Sequence, residues 1–501
     1  MPGPSDIASL NASSSYGFSP NASYTITLTS SVVASNLALV AHSSSNQTVT
    51  LNVDGNSLSP IKPGVSSPVA LFIGNNSSAH DTLYFASSTV PGAGLFITNA
   101  ASLRATIGDH GTALMVVTNG FVQVGDASVT NNQLVPGNNS ASSSQGTLVL
   151  SGSSVLWSNN GAVLIGNLSS ASGNSVVISN SAVMTCGGVL SVGGAGSSGN
   201  STLLDSGGQL FVAGAGAGAN VGNGSGSSNS VTVQNGAIWD LGNTPLSIGT
   251  STGANNSLTV GANGTVSNAI TVTMVAGNLV TLSGGELQAA QGITNSAGTI
   301  AGSGTLIGEV VFTGGGTLSP GSGSIIGTIV ASNDLMLAAD TTVIKLDESR
   351  AGSNDLLDVV GTLTEAGTLT VTNMGPALVG GDTFQFTAGD FSATNLPALS
   401  GGLSWDTSQL GSAGIIAIPL VLSVVGSANR LRFWLPLHQL STPACTCPAT
   451  GSRPQRQHRH GNVVGIVAAR PAPRHGTTAC VCCCRKEADI PRGRSESLAS
   501  L

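Results

Sequence analysis

The chain has 501 residues, of which 7% are charged, 4% aromatic and 40% hydrophobic. Disorder requires low hydrophobicity, so this mixture, rich in Gly, Ser, Thr, Asn and β-branched residues, indicates short strands joined by uncharged turns. The charge changes sign near residue 429: four basic and 19 acidic residues lie before it, and 11 basic and three acidic residues follow. Six of the seven cysteines also follow, so the body of the chain, with Cys186 alone, has no disulfide framework.

The start of the chain lacks the pattern of an export signal. MPGPSDIASLNASSSYGF has neither a basic start nor an apolar core of seven or more residues. The longest apolar run, GIIAIPLVLSVVG at residues 414–426, is too short to span a membrane and contains Pro419. We therefore expect no transmembrane segment, and either the protein stays inside the cell or its natural start lies upstream.

The clearest elements lie between residues 163 and 290, where a two-part phrase recurs. A short apolar strand ends in Gly, as in VLIG, LSVG and LSIG; a polar loop follows; and an asparagine opens a second alternating strand, as in NSVVIS and NSVTV. Looser copies, LFIG and VQVG, lie upstream. The opening asparagines are spaced 26, 29, 27 and 22 residues apart and are Asn174, Asn200, Asn229, Asn256 and Asn278.

This period predicts the coils of a β-solenoid. Alternate residues then point inward, so we expect Val231, Val233, Leu258 and Val260 to stack on equivalents about 4.8 Å away in the next coil. Gly and Asn would supply the positive φ angles of the turns. The rival architecture is a β-sandwich or jelly roll, which also joins short strands by regular turns.

After residue 330 the strands lengthen, as in DLMLAADTTVIKLD and DLLDVVGTLTEAGTLTVTNMG. We interpret this region as a more irregular β cap, because an open last coil would expose its strand edges.

The phrases GSGTLIGEV, GGGTLSPG and IIGTI, between residues 302 and 329, resemble the autotransporter-associated β-strand repeat of large bacterial surface and exported proteins. TTVIKLD, GSNDLLDVVGTLTEAGTLTV and LSWDTSQL resemble the segment that commonly follows it. The resemblance extends over roughly residues 300–418, and in composition over residues 1–300. It implies an all-β, right-handed parallel β-helix serving as an exported stalk or passenger without a shared enzymatic site. The family's C-terminal membrane barrel, export signal and alternative sorting segment have no match here.

These patterns together predict three regions. Residues 1–300 are β-solenoid repeats, residues 301–420 are the autotransporter-associated repeat with its capping β region, and residues 421–501 are an Arg/Cys/His-rich tail that is disordered or frameshifted. The resemblance places the protein outside the cell or on its surface, where an adhesin-like stalk would make weak multivalent contacts with surfaces or glycans. No nucleic-acid partner is expected, since the basic tail lacks interleaved aromatic residues.

Two other functions stay open: a carbohydrate-active β-helix enzyme, either a polysaccharide lyase or a hydrolase, and a fragment without independent function. The enzyme would need at least three carboxylates gathered with a cation, and Asp205 and Asp240 on scattered turns would count against it. Cations before residue 429 are few and separated: Lys62, Arg104, Lys345 and Arg350. The carboxylate pairs are predicted to be solvated turn and strand-end residues, namely Asp347 with Glu348 and Asp355 with Asp358.

The remaining polar motifs favour structural explanations. His80 and His110 each adjoin an aspartate but lack an identifiable serine partner. The Gly-rich turns carry no repeated Asp for calcium and no Lys for phosphate. The many Asn-x-Ser/Thr sequons are expected by chance in this composition. Tail residues with zinc-ligand chemistry have unsuitable spacing: Cys445, Cys447, His458, His460, Cys480, Cys482, Cys483 and Cys484. We therefore predict no catalytic, cofactor-binding or metal-binding residue, and no cofactor.

Overall fold

The computed structural model of the chain describes residues 7–12, 23–41, 46–60, 69–74, 80–98, 103–126, 132–138, 145–214, 216–350, 353–387, 389–420, 423–427 and 430–434. The chain divides into two compact units, Met1–Pro419 and Leu420–Leu501.

Within these residues the elements are short strands and one helix, in agreement with the prediction of an all-β fold. The first strands are β1 (Ile7–Ala12), β2 (Ser23–Thr27), β3 (Val32–Ala34), β4 (Asn36–Ala41), β5 (Asn46–Asn52), β6 (Ser57–Pro60), β7 (Val69–Ile73), β8 (His80–Ala86), β9 (Gly94–Ile97), β10 (Arg104–Ile107), β11 (Thr112–Val124), β12 (Gln133–Pro136), β13 (Gln145–Ser151), β14 (Val155–Asn159) and β15 (Ala162–Ile165). There follow β16 (Ser175–Ser179), β17 (Val183–Cys186), β18 (Val189–Val192), β19 (Ser201–Leu204), β20 (Gln209–Val212), β21 (Gly218–Val221), β22 (Ser230–Val233), β23 (Ile238–Ile248), β24 (Ser257–Val260), β25 (Thr265–Met274), β26 (Leu279–Ala289), β27 (Ile293–Asn295) and β28 (Thr299–Ile307). The last are β29 (Val310–Phe312), β30 (Thr317–Pro320), β31 (Thr328–Ala331), β32 (Leu335–Leu337), β33 (Thr341–Leu346), β34 (Leu356–Val359), β35 (Leu363–Glu365), β36 (Thr368–Asn373), β37 (Thr383–Gln385), β38 (Ala393–Asn395), α1 (Leu410–Ala413), β39 (Ile415–Ala417), β40 (Ser423–Ser427) and β41 (Arg430–Trp434).

Each strand of the stack pairs in parallel with the equivalent strand one coil later, which gives three stacked columns of strands that we call faces A, B and C. Face A contains β2, β5, β8, the start of β11, β13, β16, β19, β22, β24, the starts of β26 and β28, β30, β33, β36 and β38. Face B contains β3, β6, β9, the end of β11, β14, β17, β20, the starts of β23 and β25, the ends of β26 and β28, β31 and β34. Face C contains β1, β4, β7, β10, β12, β15, β18, β21, the ends of β23 and β25, β27, β29, β32 and β35.

This parallel stacking is the arrangement of a β-solenoid and not of an antiparallel sandwich. Inward residues repeat from coil to coil: Val231 pairs with Leu258, and Val233 with Val260. All four are fully buried, which confirms their predicted orientation. The coils therefore share one continuous apolar core, which reaches from Leu37 to Leu357.

The end of the first unit is more irregular and is built round a second apolar core, which extends from Ile344 in β33 to Ile418, although β36 and β38 still pair in parallel. Within it β37 and β39 pair antiparallel, and the Trp405 Nε1 group donates a hydrogen bond to the Pro397 carbonyl at 2.9 Å. In the second unit β40 and β41 form an antiparallel pair. The rest of the 421–501 tail lies outside the described residues, and the predicted boundaries at 300 and 420 stay predictions.

Candidate functional site

The five repeat-opening asparagines form a buried ladder at the corner between faces C and A. Asn200 Oδ1 accepts hydrogen bonds from the backbone N–H of Asn174 at 3.0 Å and from its Nδ2 at 2.9 Å. The same two bonds join Asn200 to Asn229, Asn229 to Asn256 and Asn256 to Asn278, at 2.9 to 3.1 Å. None of these side chains is more than 2% exposed. The asparagine spacing thus marks one coil, as predicted.

Each ladder asparagine also lies against a glycine that ends a face C strand. A Cβ built on Gly193 would lie 2.3 Å from the Asn229 side chain, and one on Gly222 would lie 2.2 Å from the Asn256 side chain. These glycines have positive φ angles of 85° and 80°. The recurring Gly and Asn of the sequence phrase therefore pack against each other at the same corner of the coil.

The outer surface of face A carries a row of hydroxyl groups in register. From β13 to β36 nine of the ten positions in this row carry a hydroxyl, and the other is Leu279: Thr147, Ser175, Ser201, Ser230, Ser257, Leu279, Thr299, Thr317, Thr341 and Thr368. Neighbouring hydroxyls approach closely enough for Ser175 Oγ to donate to Thr147 Oγ1 at 3.1 Å. The face A strands from β13 to β36 contain no charged residue other than Lys345, which is 5% exposed. This outer face is thus neutral and rich in hydrogen-bonding groups.

Face A also contains a buried ion pair, at its C-terminal end. Lys345 Nζ lies 2.7 Å from Asp355 Oδ2, with side chains 6% and 0% exposed. Lys345 Nζ also donates to the Pro320 carbonyl, while the backbone N–H groups of Gly327 and Lys345 donate to the Asp355 carboxylate at 2.8 Å. Burial raises the pKa of Asp355, and these hydrogen bonds oppose that effect. The prediction of a solvated carboxylate is wrong for Asp355, because the chain folds back to enclose it.

The other members of the predicted carboxylate pairs lie nearer the surface. Asp358 and Glu348 are exposed, as predicted. Asp347 is 5% exposed, so the prediction of a solvated carboxylate is wrong here too, and its Oδ2 lies 2.8 Å from Nε of the half-exposed Arg350. Hydrogen bonds from Ser349 lower the pKa of Asp347, and the Arg350 charge adds to the effect. Lys345 and Arg350, predicted to be separated cations, therefore each have a carboxylate partner.

Glu365, which the sequence analysis overlooked, is the most unusual titratable residue of the described chain. It is 9% exposed, and neither carboxylate oxygen has a hydrogen-bond partner among the described residues. Burial raises the pKa of Glu365 to about 8, and the nearby charge of Asp390 adds to the shift. One signal was available: Glu365 occupies in LTE the position that Leu337 occupies in LML of the preceding coil.

Asp205 and Asp240, proposed for the enzyme alternative, lie at different corners of the coil. Asp205 follows a face A strand and accepts a bond from Asn235 Nδ2 at 2.6 Å. Asp240 ends a face B segment and accepts one from Asn268 Nδ2 at 2.9 Å. Both bonds connect successive coils. Across the described residues, no group of three or more His, Cys, Asp or Glu side chains is arranged to hold a metal ion.

The remaining candidates show local roles. His110 Nδ1 lies 3.1 Å from Asp109 Oδ2 in a turn. Asn200, the asparagine of one sequon, is buried in the ladder. Cys186 is buried, and burial raises the pKa of its thiol to about 11, which disfavours the reactive thiolate. The cysteines and histidines proposed as tail ligands lie outside the described residues.

The described part of the chain has a single helix, α1, of four residues, and no helix there is long and apolar enough to cross a membrane. The chain matches no protein-family model, and no curated protein matches it either.

Proposed function

We propose that the protein is a non-enzymatic β-solenoid acting outside the cell or on its surface as a stalk or adhesin-like element, similar to the autotransporter-associated β-strand repeat proteins. The neutral hydroxyl row on the outer surface of face A carries this proposal. Each hydroxyl can donate and accept a hydrogen bond, and rows of parallel strands repeat it about every 4.8 Å.

The partner is an uncharged, hydroxyl-rich surface such as a glycan. A single exposed hydrogen bond contributes only about 0.5–1.5 kcal/mol, so one contact would be weak. Many equivalent contacts in one array raise the overall avidity without any new type of contact. We also propose a right-handed coil, since crossover connections between parallel strands of one sheet are right-handed in about 98% of cases.

Binding under multivalent display tests the partner. The full chain, immobilised at high density on beads, should bind glycans or intact cells, and Ser230→Asp with Ser257→Asp in the face A hydroxyl row should abolish that binding. Ser247→Asp with Thr273→Asp is the matched control, because it places the same charges in register on face C. No binding at any density, or equal loss in both double variants, would contradict the proposed contact surface.

The proposed location is tested on cells that produce the protein naturally. Antibodies against the purified chain should label intact, unpermeabilised cells or the surrounding medium. Labelling that appears only after permeabilisation would place the protein inside and remove the basis for a surface stalk.

A further inference from the structure

The last inward position of face C differs in chemistry from the row that it ends. The row runs through Met274, Asn295, Phe312 and Leu337 and then reaches Glu365. A carboxylate thus stands where the preceding two coils place an apolar side chain. An ionised carboxylate without compensation in such surroundings costs several kcal/mol, so a partner or a proton must accompany it.

At this position the described residues supply carboxylate and carbonyl oxygens but no cation. The Glu365 side chain packs directly on Gly389, where a built Cβ would meet its Oε2 at 1.6 Å. A Cβ built on Gly411 of α1 would lie 2.5 Å from Asp390 Oδ1 and 3.9 Å from the Gly389 carbonyl oxygen. Asp390 is exposed, and none of the ion pairs among the described residues includes it or Glu365.

We propose that Glu365, Asp390 and the Gly389 carbonyl bind a divalent cation, with Ca²⁺ as the best fit, at the junction between the last coil and the cap. Ca²⁺ prefers oxygen ligands, accepts carboxylates and backbone carbonyls together, and tolerates irregular geometry completed by water. The buried Glu365 forms the base of the site, and the exposed Asp390 gives the ion access from solvent. The cation would join β35 to the cap residues that precede α1. No residue of this site is predicted to bind metal from the sequence.

Hydrogen exchange of the full chain, freed of metal by a chelator, tests the site. Adding about 5 mM CaCl₂ should slow amide exchange about threefold or more in peptides covering Leu363–Glu365, residues 389–392 and α1, with a dissociation constant of about 10⁻⁴–10⁻³ M. The melting temperature should rise by about 2 °C. Isothermal titration should count one such ion per chain.

Two variants localise the effect. Glu365→Gln keeps the side-chain shape, removes the charge and should lose the Ca²⁺-dependent protection; Asp358→Asn, an exposed carboxylate on neighbouring β34, should retain it. The proposal is overturned if the wild-type chain shows no Ca²⁺-dependent protection at these peptides, a result that needs no variant to fold. Equal protection in Glu365→Gln would also overturn it.

Discussion

The ladder asparagines solve a hydrogen-bonding problem at a buried corner. Where a face A strand begins, the backbone N–H has no strand partner and no water, and an unpaired buried donor is costly. The side chain one coil away supplies the acceptor, as when Asn229 Oδ1 accepts from the Asn200 N–H. The same oxygen accepts from the Asn200 side chain, so one residue type repeated at coil spacing satisfies both groups.

The buried ion pair of Lys345 and Asp355 leads to a prediction that the two side chains contribute unequally to stability. Asp355→Ala should lower the free energy of unfolding by about 3–5 kcal/mol, because the buried Lys345 ammonium loses its counter-charge and two backbone N–H groups lose their acceptor. Lys345→Met should cost less, about 2–3 kcal/mol, since Asp355 keeps both backbone donors. Urea unfolding measures both values.

Arg350→Ala is the control for these variants. Its pair with Asp347 has a half-exposed guanidinium, so the cost should stay below about 1 kcal/mol. Equal losses in all three variants would show that the buried geometry does not determine the energetics.

Glu365 leads to a prediction about pH in calcium-free buffer. Its pKa is about 8 when folded against an ordinary value of 4.5, so between these pH values the unfolded chain is ionised while the folded chain holds the proton. Stability should therefore fall as pH rises through this window, by at most about 1.4 kcal/mol per pH unit, and level off above pH 8. Below pH 4.5 both states are protonated and the penalty disappears.

Glu365→Gln isolates this contribution, because the other carboxylates titrate equally in both proteins. The difference in unfolding free energy between variant and wild type, measured in urea at several pH values, should grow from pH 4.5 to 8. A difference that stays constant with pH would show that Glu365 is ionised in the folded chain.

At the level of the turn, glycines serve two separable purposes. Some are needed only for a positive φ angle, and others also leave room for a ladder side chain. Gly236 has a φ of 76° and open space around a built Cβ, whereas Gly193 has a φ of 85° and the Asn229 side chain 2.3 Å away.

Alanine at these two positions should therefore have different costs. Gly236→Ala should lose about 1 kcal/mol, the strain of a left-handed alanine. Gly193→Ala should lower the free energy of unfolding by about 3 kcal/mol or more, because the new Cβ displaces the buried Asn229 side chain, whose oxygen accepts two hydrogen bonds. Midpoints of urea unfolding give both values. Similar losses would mean that the corner can relax and that the Gly and Asn contact is not tightly packed.

Elements that repeat were predictable from the sequence, and elements that depend on distant contacts were not. The asparagine spacing and the alternation round Val231 each recur, so one coil identifies the next. Asp355, in contrast, is enclosed by Lys345 and Gly327, which lie 10 and 28 positions away in the chain. No local sequence pattern predicts that these residues come together. Alternation from Leu363 places Glu365 on the inward side, whereas its charge predicts an outward position, and the register with Leu337 shows that it points inward.

At the scale of the first unit, each coil contacts its neighbours and few other residues, so coils should be removable as whole units. Deleting residues 201–229 would join Asn200 to Ser230, the register equivalent of Ser201. Asn200 would then bond to Asn256 as Asn229 does now. Val231 would meet Val176 in place of Thr202, whose buried hydroxyl has no partner among the described residues.

We expect this whole-coil deletion to keep its β-sheet circular dichroism and to lower the urea midpoint only modestly. Deleting residues 201–213 should instead unfold the surrounding coils, because it removes β19 and β20 and leaves faces A and B one strand short while face C keeps β21. The comparison distinguishes the effect of strand register from the effect of chain length, because the shorter deletion removes fewer residues but should destabilise the protein more. If the whole-coil deletion unfolds the protein as completely as the partial one, cooperativity extends beyond neighbouring coils. The stability of the stack is then not the sum of the interfaces between adjacent coils.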